Sequence, residues 1–116
     1  MPITTDAAGL AVIFKVKADF LKALAHSSRL SIIEYLKSRE APVGQMVKDL
    51  GMEQSGLSKH LAILRQAGIL SSRHEGSNVF YAIKDRDIFN VLRPINQILK
   101  KKLVESGDLL NRLASS

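Results

Sequence analysis

The stretch from Gln45 to Ile83 restricts the fold most, because three different hydrophobic patterns follow one another there between glycines. Gln45 to Leu50 reads as a short helix stopped by Gly51. Gln54 to Ala67 reads as a longer helix. Its Leu57, Leu61 and Leu64 recur at spacings of four and three and so share one face, and Gly68 ends it. The period then changes. Ile69 to His74 and Val79 to Ile83 carry β-branched and aromatic residues on either side of Glu75-Gly76-Ser77-Asn78, which is the signal of a β-hairpin.

Two short helices followed at once by a hairpin predict a helix-turn-helix at about 45–67 with a wing at about 69–83. The fold class is therefore mainly α with a small β-hairpin, a winged helix-turn-helix. The 116 residues suit one compact domain spanning 1–116. Residues 1–8 read as a loose arm. Gly9 to Ala25 is helical by pattern, but Leu10, Ile13, Phe14, Leu21 and Leu24, together with Val12, Val16 and Phe20, cover more than one stripe. A helix that is apolar on two sides contacts its own core and something else, and a second subunit is the economical candidate. A second helix runs from about Arg29 to Ser38 behind a serine cap at Ser27 or Ser28, and Pro42-Val43 is extended. Asp85 can cap a last helix of about 85–106. There Ile88, Leu92, Ile95, Leu99 and Leu103 form a seam able to pack on another helix, with Pro94 kinking it or starting its second part. Gly107 ends that helix, and Asp108 to Leu113 can add a short tail helix.

The longer helix of the pair carries the chemistry. With its leucines turned inward, Gln54, Ser55, Ser58, Lys59, Ala62, Arg65 and Gln66 are left outside or at the edge. A DNA major groove admits one helix. Glutamine can pair bidentately with adenine, lysine suits guanine, and serine hydroxyls reach bases or phosphates. Gly56 either lets the backbone approach DNA or is simply tolerated in the first turn. On the hairpin, Arg73 and His74 precede the tip and Ser77 and Asn78 sit on it. Glu75 opposes phosphate, so it is expected to point away or to pair with Arg73. Seventeen Lys and Arg against eleven Asp and Glu give a net charge of +6, a balance that suits a nucleic-acid partner.

The run Ala23-Leu24-Ala25-His26-Ser27-Ser28-Arg29-Leu30, then Ser58-Lys59-His60-Leu61 with Leu64-Arg65-Gln66-Ala67-Gly68-Ile69-Leu70, then Gly76 to Tyr81, resembles the ArsR-type winged-helix repressor family over about residues 18 to 92. The resemblance implies a bacterial or archaeal repressor acting on double-stranded DNA. It also implies a homodimer joined through the first and last helices, with Leu10, Ile13, Phe14, Ile88, Leu92, Ile95, Leu99 and Leu103 at the interface. It places His60 at the DNA face beside Ser58 and Lys59, against the alternative of a packing or capping role. It places Arg29 in an ion pair and His26 in a cap or surface role. Glu53 stands where the family usually has serine, a capping position close to phosphate.

The signal is less legible. No cysteine is present, which removes thiolate metal sites, disulfides and thiol redox switches. The positions resembling the family's other metal site are Asp85, Asp87, Ile98 and Lys101. Ile98 cannot ligate and Lys101 repels a cation, so neither a metal nor another cofactor is expected. An organic ligand, a protein effector and no effector at all remain open. The N-terminus lacks a signal-peptide pattern and the apolar run Leu10 to Phe14 is short, so a cytoplasmic protein with no membrane partner is expected. No nucleophile–base pair or phosphate-cradling loop points to an enzyme. A module for protein contacts, or one binding DNA without sequence preference, is the alternative reading.

Overall fold

A computed structural model describes residues 6–103 and 112–113. Its elements are α1 (Ala7–Leu24), α2 (Ser27–Tyr35), β1 (Ala41–Pro42), α3 (Val43–Leu50), α4 (Gln54–Gln66), β2 (Leu70–Glu75), β3 (Asn78–Ile83) and α5 (Ile88–Leu103). The chain divides after Lys84 into two compact units. The first holds α1 to β3 and the second holds α5.

Within the first unit, Ile32, Ile33, Leu36, Met46, Leu57, Leu61, Leu64 and Leu70 are almost wholly withdrawn from solvent, with Leu24, Ala41 and Ile69 beside them. Each such aliphatic side chain contributes about 1.5–3 kcal/mol by leaving water. The three leucines of α4 all lie in this core, so the face of α4 opposite them is fixed outward.

Helix ends are set by identifiable groups. Asp6 Oδ1 accepts from the Gly9 amide at 2.6 Å, so α1 begins at Ala7, inside the arm expected over residues 1–8. His26, not Ser27 or Ser28, caps α2: its Nδ1 accepts from the Ser28 amide at 3.1 Å, and the helix starts two residues earlier than the pattern suggested. At the end of α4 the Gly68 amide donates to Arg65 O and the Ile69 amide to Leu64 O, both at 3.0 Å. This paired closure needs a residue at positive φ, and Gly68 supplies it at +80°. The Lys84 amide then donates to Ile69 O at 3.0 Å and closes the base of the hairpin.

The sheet has three antiparallel strands in the order β1-β3-β2. In the hairpin Leu70 pairs with Ile83 and Glu75 with Asn78, leaving Gly76 and Ser77 as a two-residue loop. Gly76 has φ +62°, and among the described residues no side-chain-bearing residue has positive φ. That combination is the one a type II′ hairpin turn requires. Asn78 is thus the first residue of β3 rather than part of the tip. The third strand was not foreseen. Ala41 and Pro42 pair with Tyr81 and Phe80, and α3 begins at once with Val43, two residues ahead of the expected Gln45.

In the second unit α5 runs unbroken through Pro94. It starts at Ile88, three residues later than expected, because Asp85 Oδ1 accepts from the Asp87 amide at 2.9 Å and makes a separate turn first. The expected helix end at Gly107 and most of the tail helix at Asp108 to Leu113 lie outside the described residues.

Candidate nucleic-acid interface

Helix α4 advances about 100° per residue. Ser55, Lys59, Ala62 and Gln66 therefore run along the ridge opposite the buried leucines, and Gln54, Ser58 and Arg65 line one flank. All seven are exposed. Among the described residues no ion pair involves Lys59 or Arg65, so both cations are available to a polyanion. Gly56 lies in the first turn, where an added Cβ meets nothing within 4 Å. The exposed large hydrophobic residues belong to α1, to Leu30 and to α5, and none of them to α4 or the hairpin among the described residues.

His60 lies on the other flank of α4 and is only half exposed. Its Nδ1 sits 3.2 Å from Arg29 Nη1 and its ring centroid 4.4 Å from that of His26. It therefore packs by its Nδ1 edge against Arg29 and the His26 cap of α2, as the packing alternative has it, with the rest of the ring partly exposed. Burial, then the neighbouring His26, Arg29 and Lys59, holds its imidazole below the usual range. Among the described residues Arg29 has no carboxylate partner for the expected ion pair. Its Nε donates to Ala23 O at 2.7 Å and its Nη2 to Lys22 O at 3.2 Å, so it caps the carboxyl end of α1. Glu53 occupies the N-cap position of α4 but makes no side-chain cap; only its carbonyl is used, accepting from the Leu57 amide at 2.9 Å.

On the hairpin, His74, Ser77 and Asn78 are exposed. Arg73 is exposed but committed. It donates through Nε at 3.1 Å and through Nη2 to Glu40, and through Nη1 to Glu75. Its guanidinium carbon also lies 4.6 Å from the centre of the Phe80 ring. The pairing with Glu75 was foreseen. The stronger partner, Glu40, was not, because it lies 33 positions away and reaches Arg73 only through the β1–β3 pairing. One guanidinium between two carboxylates leaves a local net charge of −1, so Arg73 is not a free phosphate contact.

The first helix of the pair is braced separately. Tyr35 Oη donates to Asp49 Oδ2 at 2.6 Å and Gln45 Nε2 to Asp49 Oδ1 at 2.9 Å. These bonds hold the Asp49 carboxyl below the ordinary range and raise the Tyr35 phenol.

The apolar faces assigned to a second subunit are largely uncovered. On α1, Leu10, Val12, Phe14, Val16 and Leu21 are exposed, Phe14 by 62%, while Ile13 is half-buried. On α5, Val91, Ile95 and Ile98 form the exposed stripe, with Leu92, Leu99 and Leu103 half-buried beside it. Ile88 departs from the expected seam: it is 5% exposed in the single chain and has almost no area left to offer. Val91 and Ile98, apolar residues four before and three after Ile95, are exposed where Ile88 is not. Among the described residues no group of three His, Cys, Asp or Glu side chains could hold a metal ion, and no helix is long and apolar enough to cross a membrane.

Residues 26–72, which run from the α2 cap into β2, match the family model described as "Bacterial regulatory protein, arsR family". The chain is 36% identical over 102 residues to the HTH-type transcriptional regulator Rv0081 of Mycobacterium tuberculosis, covering 87% of this chain and 90% of the relative. The chain belongs to the ArsR family. The crystal structure of Rv0081 superposes with a TM-score of 0.72 at 37% identity, covering 81% of this chain and 95% of that one. The homodimeric winged helix-turn-helix DNA-binding domain Mb0332 of Mycobacterium bovis, a solution structure, gives a TM-score of 0.74 at 25% identity, covering 86% and 93%. The transcriptional activator HlyU of Vibrio cholerae is 35% identical over 78 residues, 67% of this chain and 72% of its own. The ArsR-family chain is thus a transcriptional regulator of the winged-helix type.

Proposed function

We propose that this ArsR-family regulator binds a palindromic DNA operator as a homodimer, inserting α4 into the major groove and resting the hairpin on the flanking backbone. One observation carries the reading: the outward ridge of α4 is polar, exposed and holds unpaired Lys59, while the leucines opposite are locked in the core. Ser55, Lys59 and Gln66 on the ridge and Gln54, Ser58 and Arg65 on its flank are the reading set; His74, Ser77 and Asn78 are the wing contacts. A protein-binding module would present large apolar residues on this face, and the described part of it has none. The second subunit covers Leu10, Phe14 and their neighbours on α1 and the Val91, Ile95, Ile98 stripe on α5. Two-fold symmetry then sets half-sites about 10 base pairs apart or a multiple of that. Repression is the expected sign, by covering the operator, although HlyU carries the name of an activator. The signal is neither a transition metal nor thiol oxidation, since cysteine is absent and Ile98 and Lys101 occupy the ligand positions. A cytoplasmic location follows from the DNA partner.

The test is fluorescence anisotropy on a duplex enriched from a random-sequence pool, with a scrambled duplex as control. Lys59→Ala should weaken specific binding by about 1–3 kcal/mol for each base interaction it removes, and Lys101→Ala far less. Equal losses would remove α4 from the role. A promoter–reporter fusion with and without the protein reads the sign.

A further inference from the structure

The recognition helix is fastened to the end of α1 through one guanidinium. Arg29 binds the carbonyls of Lys22 and Ala23 in the last turn of α1 with Nη2 and Nε, and turns Nη1 to His60 Nδ1 on α4, 3.2 Å away. Arginine can only donate. The contact therefore requires a bare Nδ1, a neutral ring and the ring proton on Nε2. The groups that face this ring are all cationic or able to become so: Arg29 from α2, His26 from the cap of α2, and Lys59 from α4 itself. From α1 come the two carbonyl oxygens that Arg29 holds. A second proton on His60 removes the acceptor and sets a cation against Arg29.

We propose that Arg29 is a positioning residue for DNA reading, holding α4 against the carboxyl end of α1 through neutral His60, and that protonation of His60 releases this junction and weakens DNA binding. The inference rests on the reading of α4 as the DNA-contacting helix. Burial and the surrounding cations keep the ring neutral near neutral pH, so the junction opens only on acidification. The predicted sign is unusual. Protonating histidines adds positive charge, which by itself strengthens binding to a polyanion.

The experiment is anisotropy on the selected duplex from about pH 8 to about pH 5.5 at fixed ionic strength, for the full chain, His60→Gln and Arg29→Gln. Glutamine at 60 offers Arg29 an amide oxygen that does not titrate. The unaltered chain should lose about fivefold or more in affinity on acidification. Both variants should lose that decline. Affinity that holds or rises at low pH in the unaltered chain, or a decline that survives in His60→Gln, overturns the proposal. Failure of the unaltered chain to prefer the selected over the scrambled duplex at the higher pH overturns the DNA reading itself, and is a distinct result. Independently of how the variants fold, nitrogen NMR of the unaltered chain should show the His60 ring with Nδ1 unprotonated near pH 8. A protonated Nδ1 there overturns the junction.

Discussion

The charge arrangement on the hairpin makes a prediction that runs against residue type. Arg73 is the hairpin's arginine and the obvious candidate for a phosphate contact, yet Glu40 and Glu75 hold it on two sides. Together they carry −1, so this cluster offers DNA no net positive charge. Replacing both carboxylates, Glu40→Gln with Glu75→Gln, changes the local charge from −1 to +1 and frees the guanidinium. Each additional phosphate neutralised steepens the dependence of log K on log salt by about 0.9. Two wings per dimer give about 1.8. For one phosphate, a fourfold change in salt from about 50 to 200 mM then alters affinity by a further ~3.5-fold, and for two by about 12-fold. The assay is a salt titration of anisotropy on the selected duplex, comparing the double variant, Arg73→Ala and Lys59→Ala. The double variant should show the steeper slope, Lys59→Ala a shallower one, and Arg73→Ala one close to the starting chain. A double variant with an unchanged slope, or an Arg73→Ala variant that loses as much slope as Lys59→Ala, would refute the sequestration of Arg73.

Three further outcomes follow from the geometry. Gly56→Ala should raise thermal stability by up to about 1 kcal/mol, since a methyl group meets open space in a helical turn; anisotropy on the same variant separates the two roles of Gly56, because a drop in affinity marks a close backbone approach to DNA. Phe14→Glu should shift the chain from dimer to monomer in analytical ultracentrifugation, since a side chain 62% exposed in the single chain would carry a charge into the subunit contact. Thermal stability should slip as pH drops below about 6.5, where the unfolded chain protonates His60 ahead of the folded one, and fall further below about pH 4. Glu40, bound by Arg73, Asp49, bound by Tyr35 and Gln45, and Asp19, bound by Lys15, all have carboxyls held below their ordinary range, so the unfolded chain takes up protons first and the stability they give is lost as pH drops through the folded values. Calorimetry across that range checks this, and Glu40→Gln should make the fall shallower.

The parts of this chain legible in sequence are those with local causes. Leu57, Leu61 and Leu64 recur at helical spacing, and glycines at 51, 68 and 76 stand where the backbone must turn left-handed, so the reading head and hairpin could be placed to within a few residues. What escaped depends on contacts between distant positions. The strand at Ala41–Pro42 is two residues long and exists only because Tyr81 and Phe80 pair with it. That same pairing brings Glu40 to Arg73. The packing of His60 depends on Arg29, 31 positions away. Leucine spacing alone drew the α5 seam through Ile88, whereas Ile88 is buried in the single chain and Val91, Ile95 and Ile98 are the exposed residues.

These displaced residues bear on how a signal could reach DNA. Neither His60 nor Arg73 is a free contact, and both tie the reading surfaces to other elements: His60 ties α4 to the carboxyl end of α1, and Arg73 ties β2 to the segment before β1. In the proposed DNA complex, base reading is left to Lys59 and the short polar side chains around it. At the far side of the His60 junction stands α1. It leaves Val12, Phe14 and Val16 exposed, and its last carbonyls hold Arg29. In the proposed dimer, a ligand that binds one arrangement of the subunits better than another would reach Arg29 through α1 without touching the reading face, and the linkage runs both ways. DNA should change the affinity of any such ligand by the factor with which the ligand changes the affinity for DNA. In Arg29→Gln that mutual factor should fall toward one while the dimer persists, whereas a signal passing only through α5 would leave it intact.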